Sequence, residues 1–315
     1  MARILLFGLY KLGHLALEAL LARGMHVIGM VTKPDPYLDG EPLACLARSR
    51  GIPLFLPQNP RDRGFLRSVK SLRPDLIAVA GYHRILPAKL LSLPPRGVLN
   101  LHGSLLPRHR GPVPWKWSLL NGERVTGMTV QVMSERLDEG PILLQEECPI
   151  LVDDTADTLV ARLCVLGGPL LARTVDDFLA GRLTPRPQDE RKATYEGYPG
   201  DEDAQILWDW EAERIRNLVR GLSPRPGAWT TCGGAKVRIR TAAAEEERSD
   251  RGPGVILRHT DRSVLVSTGA GVLALGGISL DGESTILGPR RLEHLGMRPG
   301  ACLGTGAPET SLPRP

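Results

Sequence analysis

Three polar side chains, in two short segments, are the strongest candidates for chemistry in this chain of 315 residues. Asn100 and His102 are two residues apart, so on an extended strand their side chains point to the same face. Asp138 follows in the segment 137–140, whose Asp and Gly are typical of a turn. An amide can donate to an oxygen that gains charge, an imidazole can take up a proton, and a carboxylate can orient that imidazole. These three roles together predict acyl transfer.

The elements that must position these groups alternate between strand and helix patterns. Apolar runs at 3–7, 26–31 and 76–80 predict buried strands, and helical spacing from 12 to 23 predicts a helix between the first two. This order favours a twisted, mostly parallel sheet covered by helices, with active groups at the carboxyl ends of its strands. Further elements are predicted at 41–50, 53–56, 64–72, 98–101, 112–120, 126–133, 142–148 and 153–179. The strand at 98–101 delivers Asn100 and His102 to the carboxyl edge.

Composition indicates an ordinary globular protein, with 42% apolar and 24% charged residues. No apolar run approaches the length of a membrane span, and the N-terminus lacks the pattern of a signal peptide, so we expect a cytoplasmic protein without a membrane partner. The formal charge of +5 would suit an anionic partner, but basicity alone is weak evidence for RNA. The scattered cysteines predict reduced thiols and no metal site; they are Cys45, Cys148, Cys164, Cys232 and Cys302.

A change of composition divides the chain. The stretch 186–204 is rich in Pro, Gly and charge and is predicted to be a linker between a catalytic domain (1–185) and a C-terminal domain (205–304). A helix at 211–222 precedes short β-rich runs, which predict a small barrel. These runs are 228–232, 236–241, 254–259, 262–268 and 271–279. Residues 305–315 are predicted to form a disordered tail.

Long motifs in sequence order resemble the formyltransferases that use 10-formyltetrahydrofolate. The blocks that carry the resemblance are 3–10, 73–82, 85–87, AsnLeuHisGlySerLeuLeuPro (100–107), 110–111, 126–130, LeuAspGluGlyProIleLeu (137–143) and 219–229. The last block resembles the C-terminal domain of methionyl-tRNA formyltransferases and aminoarabinose formyltransferases. The resemblance implies a Rossmann-like α/β formyltransferase domain followed by a small OB-like β-barrel, with 10-formyltetrahydrofolate as co-substrate.

The resemblance also implies roles for single residues. Asn100, His102 and Asp138 become the catalytic residues, with Asn100 donating to the formyl oxygen and His102, polarised by Asp138, accepting the proton of the amine. The residues implied to bind the folate are Tyr82, Ile85, Leu86, Pro87, Ser104, Leu105, Leu106, Pro107, Leu137 and Glu139. Those implied to border the acceptor are Tyr10, Lys11, Arg108 and Arg110. Ser104 could equally end the strand or hold the loop, and Tyr10 and Lys11 could equally belong to a solvated loop. Gly8 and Gly13 are explained by a close strand-to-helix turn, not by a dinucleotide site.

The acceptor is predicted from the loop after the second strand. In the tRNA enzymes this loop is longer and basic, whereas here the segment 32–42 carries Asp35, Asp39 and Glu41, which repel phosphates. A small amine, such as an amino sugar nucleotide or a natural-product amine, is therefore the favoured acceptor, and methionyl initiator tRNA is the alternative. A folate-binding protein without turnover and a hydrolase that releases formate are the competing classes; an intact catalytic trio argues against the first.

Overall fold

A computed structural model describes residues 1–33 and 42–304. Two compact units emerge from the contacts within the chain. Unit 1 comprises Met1–Trp115, Arg124–Ile150 and Thr158–Gly197, and unit 2 comprises Lys116–Glu123, Leu151–Asp157 and the residues from Tyr198 onward. The domain boundaries at 185 and 204 stay predictions. The acidic loop residues Asp35, Asp39 and Glu41 and the tail 305–315 lie outside the described residues.

Unit 1 is built on a seven-stranded sheet. Its strands are β1 (Arg3–Gly8), β2 (His26–Val31), β3 (Leu54–Phe55), β4 (Leu76–Ala80), β5 (Val98–His102), β6 (Val125–Val132) and β7 (Ile142–Pro149). The strand order is β3-β2-β1-β4-β5-β6-β7, parallel from β3 to β5 and antiparallel from β5 to β7. The predicted mostly parallel sheet is therefore confirmed. All five residues of β4 are buried, as expected for a central strand covered on both faces.

The helices of the first 180 residues are α1 (Tyr10–Ala22), α2 (Pro42–Ser49), α3 (Arg63–Leu72), α4 (Ala88–Leu91), α5 (Pro114–Leu120) and α6 (Ala156–Leu179). The turn between β1 and α1 requires two small residues in contact. A Cβ atom on Gly8 would lie 2.8 Å from the Cα atom of Gly13, and one on Gly13 would lie 2.9 Å from the carbonyl carbon of Gly8. This close approach is the strand-to-helix turn that the two glycines predict.

Helix α6 is long and apolar enough to cross a membrane by length and composition alone, a test that the core helix of a globular protein also passes. More than half of its apolar stretch, 56%, is buried inside the protein. Burial of this kind is also a property of the core helix of a globular fold.

Unit 2 contains a five-stranded antiparallel sheet, as predicted. Its elements are α7 (Ala212–Leu222), β8 (Ala228–Cys232), β9 (Ala235–Glu245), β10 (Ile256–His259), β11 (Val264–Ser267), β12 (Val272–Leu280) and α8 (Pro289–His294). The order is β10-β11-β12-β9-β8. Residues 300–304 lie between the two edge strands, since Gly300 donates to the Ile256 carbonyl and Gly304 to the Thr231 carbonyl. This segment partly closes the sheet into a barrel.

Candidate active site

The carboxyl end of β5 presents two of the predicted catalytic side chains on one face. In the antiparallel pairing with β6, Asn100 lies opposite Gln131 and His102 lies opposite Thr129. Because directly opposed residues of neighbouring strands share a face, these four side chains form one polar group. Gln131 and Thr129 were not predicted from the sequence. Gln131 could have been identified, because it is a polar residue between two valines at an inward position of a buried strand.

Asp138, in the connection between β6 and β7, completes the trio. Its Oδ1 atom accepts from Gln131 Nε2 at 3.0 Å and lies 3.5 Å from Asn100 Nδ2. Its Oδ2 atom accepts from the Gly111 amide at 3.0 Å and lies 3.6 Å from His102 Nδ1. The backbone of Asp138 is left-handed, with φ of 54°. The structure therefore brings all three predicted catalytic residues together around one carboxylate.

His102 is nearly buried and both of its ring nitrogens face fixed neighbours. Its Nε2 atom lies 2.8 Å from the carbonyl oxygen of His109. A carbonyl oxygen only accepts hydrogen bonds, so this contact requires the proton to sit on Nε2. The Nδ1 atom, next to the Asp138 carboxylate, is then the nitrogen that is able to take up a proton. The His109 carbonyl fixes this tautomer, and the Asp138 carboxylate is placed to stabilise the imidazolium that forms when Nδ1 takes up a proton.

The loop that follows β5, residues 103–111, is called the catalytic loop here. Thr129 Oγ1 donates to the Ser104 carbonyl at 2.6 Å and accepts from the Leu106 amide at 3.1 Å. The hydroxyl of Ser104 donates to the Arg108 carbonyl at 2.7 Å, and the side chain is fully buried. Of the two readings of Ser104, the structure favours the one in which it holds the loop. Leu105 and Pro107 are half-buried, and Leu106 is buried.

A second segment, residues 186–196, lies against the catalytic loop and is called the strap. The His109 amide donates to Thr194 Oγ1 at 2.8 Å, and the Glu196 amide donates to the Arg110 carbonyl at 3.0 Å. A Cβ atom on Gly111 would lie only 2.1 Å from the Glu196 carbonyl oxygen, so only glycine allows this approach. The stretch predicted as a linker is thus part of the site in its first half. Sequence reasoning missed it entirely.

Arg110 joins the strap to the catalytic loop. It is fully buried, and its five N–H donors make five hydrogen bonds, to Gln188, Glu190 and Tyr195. The hydrogen bond to Glu190 raises the pKa of Arg110 above its usual value. A direct contact of this guanidinium with the acceptor, as expected from the sequence, is not compatible with this structure. Arg110 positions the loop instead, while Arg108 is exposed at its surface.

Other residues predicted to bind the folate follow the carboxyl end of β4. One of them is far more exposed to solvent than the buried residues of the catalytic loop. Ile85 is 68% exposed, Leu86 is buried and Pro87 is half-buried. The Tyr82 ring meets Phe7 edge to face at 5.2 Å between ring centroids, and its hydroxyl is buried with no hydrogen-bond partner among the described residues. Burial raises the pKa of this hydroxyl. The exposed side chain of Ile85 is the part of this segment that offers apolar surface to a flat heteroaromatic ring.

Two predicted folate residues flank Asp138, and their surroundings differ. Leu137 is 53% exposed. The Glu139 carboxylate accepts from the Tyr195 hydroxyl at 2.7 Å and from Arg136 at 3.3 Å. The side chain of Glu139 is therefore bound within the chain, and Leu137 is the one that faces solvent.

Two predicted acceptor residues begin α1, at the carboxyl end of β1. Tyr10 is 58% exposed, with φ of 49°, and its hydroxyl accepts from Lys33 Nζ at 2.6 Å. Lys33 also lies over the Tyr10 ring, 4.7 Å from its centroid. Lys11 is exposed. These residues lie at the same edge of the sheet as Asn100 and His102, because β1, β4 and β5 are parallel neighbours.

A mostly parallel sheet with an amide, an imidazole and a carboxylate at its carboxyl edge defines a group-transfer enzyme of the acyl type. Residues 25–175 match the family model described as formyl transferase, and residues 200–290 match the formyl transferase C-terminal domain. The chain belongs to the formyl transferase family. It is a formyltransferase with 10-formyltetrahydrofolate as co-substrate.

Curated relatives and solved structures agree with this family. The chain is 36% identical over 286 residues to the methionyl-tRNA formyltransferase of Thermodesulfovibrio yellowstonii, covering 89% of this chain and 92% of that protein. It is 35% identical over 308 residues to that of Geobacter sulfurreducens, covering 96% of each chain. A sugar 3N-formyltransferase crystallised with dTDP and 5-N-formyl-THF shares the fold, with a TM-score of 0.70, 14% identity, and coverage of 90% of this chain and 99% of that one.

Proposed function

We propose that this formyltransferase acts on the amino group of methionyl initiator tRNA. One observation carries the proposal: the methionyl-tRNA formyltransferases match at 35 to 36% identity across both units, including 96% of each chain for the Geobacter sulfurreducens enzyme. The sugar formyltransferase is far less similar in sequence, at 14% identity, so its likeness concerns the fold. The acceptor favoured from the sequence, a small amine, is less well supported than its alternative.

In the proposed reaction the amine nitrogen forms a bond to the formyl carbon, and the bond from that carbon to the folate nitrogen breaks. Asn100 donates to the formyl oxygen while negative charge develops there, which is the interaction that lowers the barrier. His102 Nδ1 takes the proton that the attacking amine loses, and Asp138 stabilises the resulting charge. The proton held by His102 then passes to the departing folate nitrogen, directly or through water, so that tetrahydrofolate and the formylated amine are the products and His102 is again neutral.

Two cations of unit 2, Lys236 and Arg238, contribute little to the binding of phosphates. Lys236 and Arg238 both pair with Asp201 and Asp281, so much of their charge is already balanced inside unit 2. The acidic residues of the segment 34–41, namely Asp35, Asp39 and Glu41, would repel phosphates on the evidence of their charge alone. Phosphate contacts to tRNA must therefore come from other cations.

A comparison of separate acceptors tests the choice of acceptor. The full chain is incubated with 10-formyltetrahydrofolate and, separately, methionyl initiator tRNA, methionyl elongator tRNA and a dTDP-linked amino sugar. We expect kcat/KM for the initiator tRNA to exceed that for the amino sugar by at least about 100-fold. Its KM should rise with salt, with a logarithmic slope of roughly 0.7 to 0.9 per phosphate contacted. Faster formylation of the amino sugar would overturn the proposal and restore the small-amine acceptor.

A further inference from the structure

A chain of hydrogen bonds connects the buried Arg110 to the carboxylate of Asp138 through two glutamines. Arg110 Nε and Nη2 donate to Gln188 Oε1 at 3.1 and 2.8 Å. Gln188 Nε2 lies 3.3 Å from Gln131 Oε1, and Gln131 Nε2 donates to Asp138 Oδ1 at 3.0 Å. We propose that Gln188 is a positioning residue for formyl transfer, which fixes the direction of the Asp138 carboxylate. The proposal rests on the catalytic role proposed for Asp138.

The chemistry of each neighbour determines which way each amide points. A guanidinium only donates, so Gln188 must turn its oxygen toward Arg110 and its NH₂ group to the opposite side. The two N–H groups of that amide donate to two backbone carbonyl oxygens at 2.7 Å, and one of them is shared with Gln131 Oε1 at the longer distance of 3.3 Å. The NH₂ group of Gln131 is then directed at Asp138. A reversed amide at either glutamine would bring two acceptors or two donors face to face. The orientation imposed by Arg110 is therefore passed on to the carboxylate.

Gln188 also holds the backbone on which Asp138 sits. Its Nε2 atom donates to the carbonyl oxygens of Asp138 and Gly140, both at 2.7 Å. The turn is tight, since Asp138 has φ of 54° and a Cβ atom on Gly140 would lie 1.7 Å from the Val132 carbonyl oxygen. Loss of the Gln188 amide removes the donor of both carbonyl oxygens, and the turn that contains Asp138 is then no longer held by these hydrogen bonds. A shift of about 1 Å at a reacting group can cost about 100-fold in rate.

A double-mutant cycle tests whether Gln188 acts through Asp138. Gln188→Leu should lower kcat by roughly 10- to 100-fold, with little change in KM for 10-formyltetrahydrofolate. In the Asp138→Ala background the same change should lower kcat no further, because the group that it positions is gone. Equal losses in both backgrounds, or no loss in the wild-type background, would overturn the proposal. Full activity of Asp138→Ala itself would instead refute the role of Asp138.

The variant Gln188→Glu separates positioning from a structural role. It keeps the size of the side chain and an acceptor for Arg110, so the strap should stay folded, which circular dichroism and Tm verify. An ionised carboxylate cannot donate to the carbonyls of Asp138 and Gly140, whereas a protonated one can. The ratio of variant to wild-type kcat should therefore fall as pH rises. The control Gln58→Glu makes the same change at an exposed position and should leave this ratio flat near one. A flat ratio near one for Gln188→Glu contradicts the proposal.

Discussion

The two sides of the candidate active site differ in how completely their polar groups are bound within the chain. On the side of the catalytic loop, Arg110 has all its donors engaged, and the Asp138 carboxylate is contacted by Gln131 and Gly111. On the side of β4, the Tyr82 hydroxyl has no partner among the described residues, and Ile85 is 68% exposed.

This contrast separates two tasks. Groups that stabilise charge in a transition state work best when their direction is fixed beforehand, since no reorganisation is then needed during the reaction. A surface that binds a ring needs apolar area that is exposed to the ligand. The side of the catalytic loop meets the requirement for fixed polar groups, and the side of β4 meets the requirement for exposed apolar area.

Substitution of the catalytic groups should give the largest effect. Asn100→Ala and Asp138→Ala should each lower kcat by at least roughly 100-fold, because both groups act as charge develops. Folate affinity should change little, which equilibrium binding measures. Asp176→Ala, which removes an exposed carboxylate paired with Arg23 and Arg182, is the control and should retain wild-type turnover. Near-normal turnover of either variant, with an unchanged Tm, would mean that the centre is assigned wrongly.

Displacement of the strap should have an intermediate effect. In Gly111→Ala the new methyl group would meet the Glu196 carbonyl at 2.1 Å, in a backbone with φ of 114°. We expect a loss of stability about 1 to 3 kcal/mol larger than in Gly181→Ala, as in other overpacked sites, and a kcat lowered by roughly tenfold.

Gly181 is the matched control for this clash. Its φ of 73° is also left-handed, but a Cβ atom there would have no neighbour within 4 Å. Its alanine variant therefore measures backbone strain alone, on the order of 1 to 2 kcal/mol. Equal Tm shifts and equal activities in the two variants would show that the strap does not hold the catalytic loop.

The open side should respond least. Tyr82→Phe removes a buried hydroxyl that has no partner among the described residues and keeps the ring against Phe7. Because this hydroxyl is shielded from solvent, we expect KM for 10-formyltetrahydrofolate and kcat at neutral pH to change by less than about twofold. A KM raised by about 2- to 10-fold, the value of one hydrogen bond, would show instead that the hydroxyl contacts the folate.

The same variant predicts a pH effect on stability. Burial raises the pKa of Tyr82 in the folded chain, so above about pH 10 the unfolded chain releases its proton first. The wild-type protein should therefore lose stability as pH rises beyond that value, and Tyr82→Phe should lose less. Urea titrations at pH 8 and at higher pH would measure the difference.

The sheet and the three candidate catalytic residues could be predicted from the sequence, and the reasons are physical. Strands such as 76–80 are continuous apolar runs because they are buried on both faces. Asn100 and His102 share a face because side chains alternate along a strand. The position of Asp138 relative to them came from the family's motif spacing, since no local pattern encodes a contact across 38 residues of chain.

The strap could not be predicted in the same way. It is held to the catalytic loop by single polar contacts, such as those of Gln188 and Glu190 with Arg110, about 80 positions earlier in the chain. Such contacts produce no periodic pattern, and a stretch rich in Pro and charge has the composition of a linker. For the same reason Arg110 was expected to border the acceptor, although its guanidinium is bound by residues distant in sequence.

The late position of the strap has a consequence for the growing polypeptide. Every strand of the seven-stranded sheet has been synthesised once Pro149 is added, yet Gln188 follows Asp138 by 50 residues. Translation runs from the N-terminus, so a ribosome-bound chain that ends before Gln188 contains the whole sheet but not the segment that clamps the Asp138 turn. The proposed role of Gln188 therefore predicts that catalytic competence is acquired at a later moment of biosynthesis than the sheet itself.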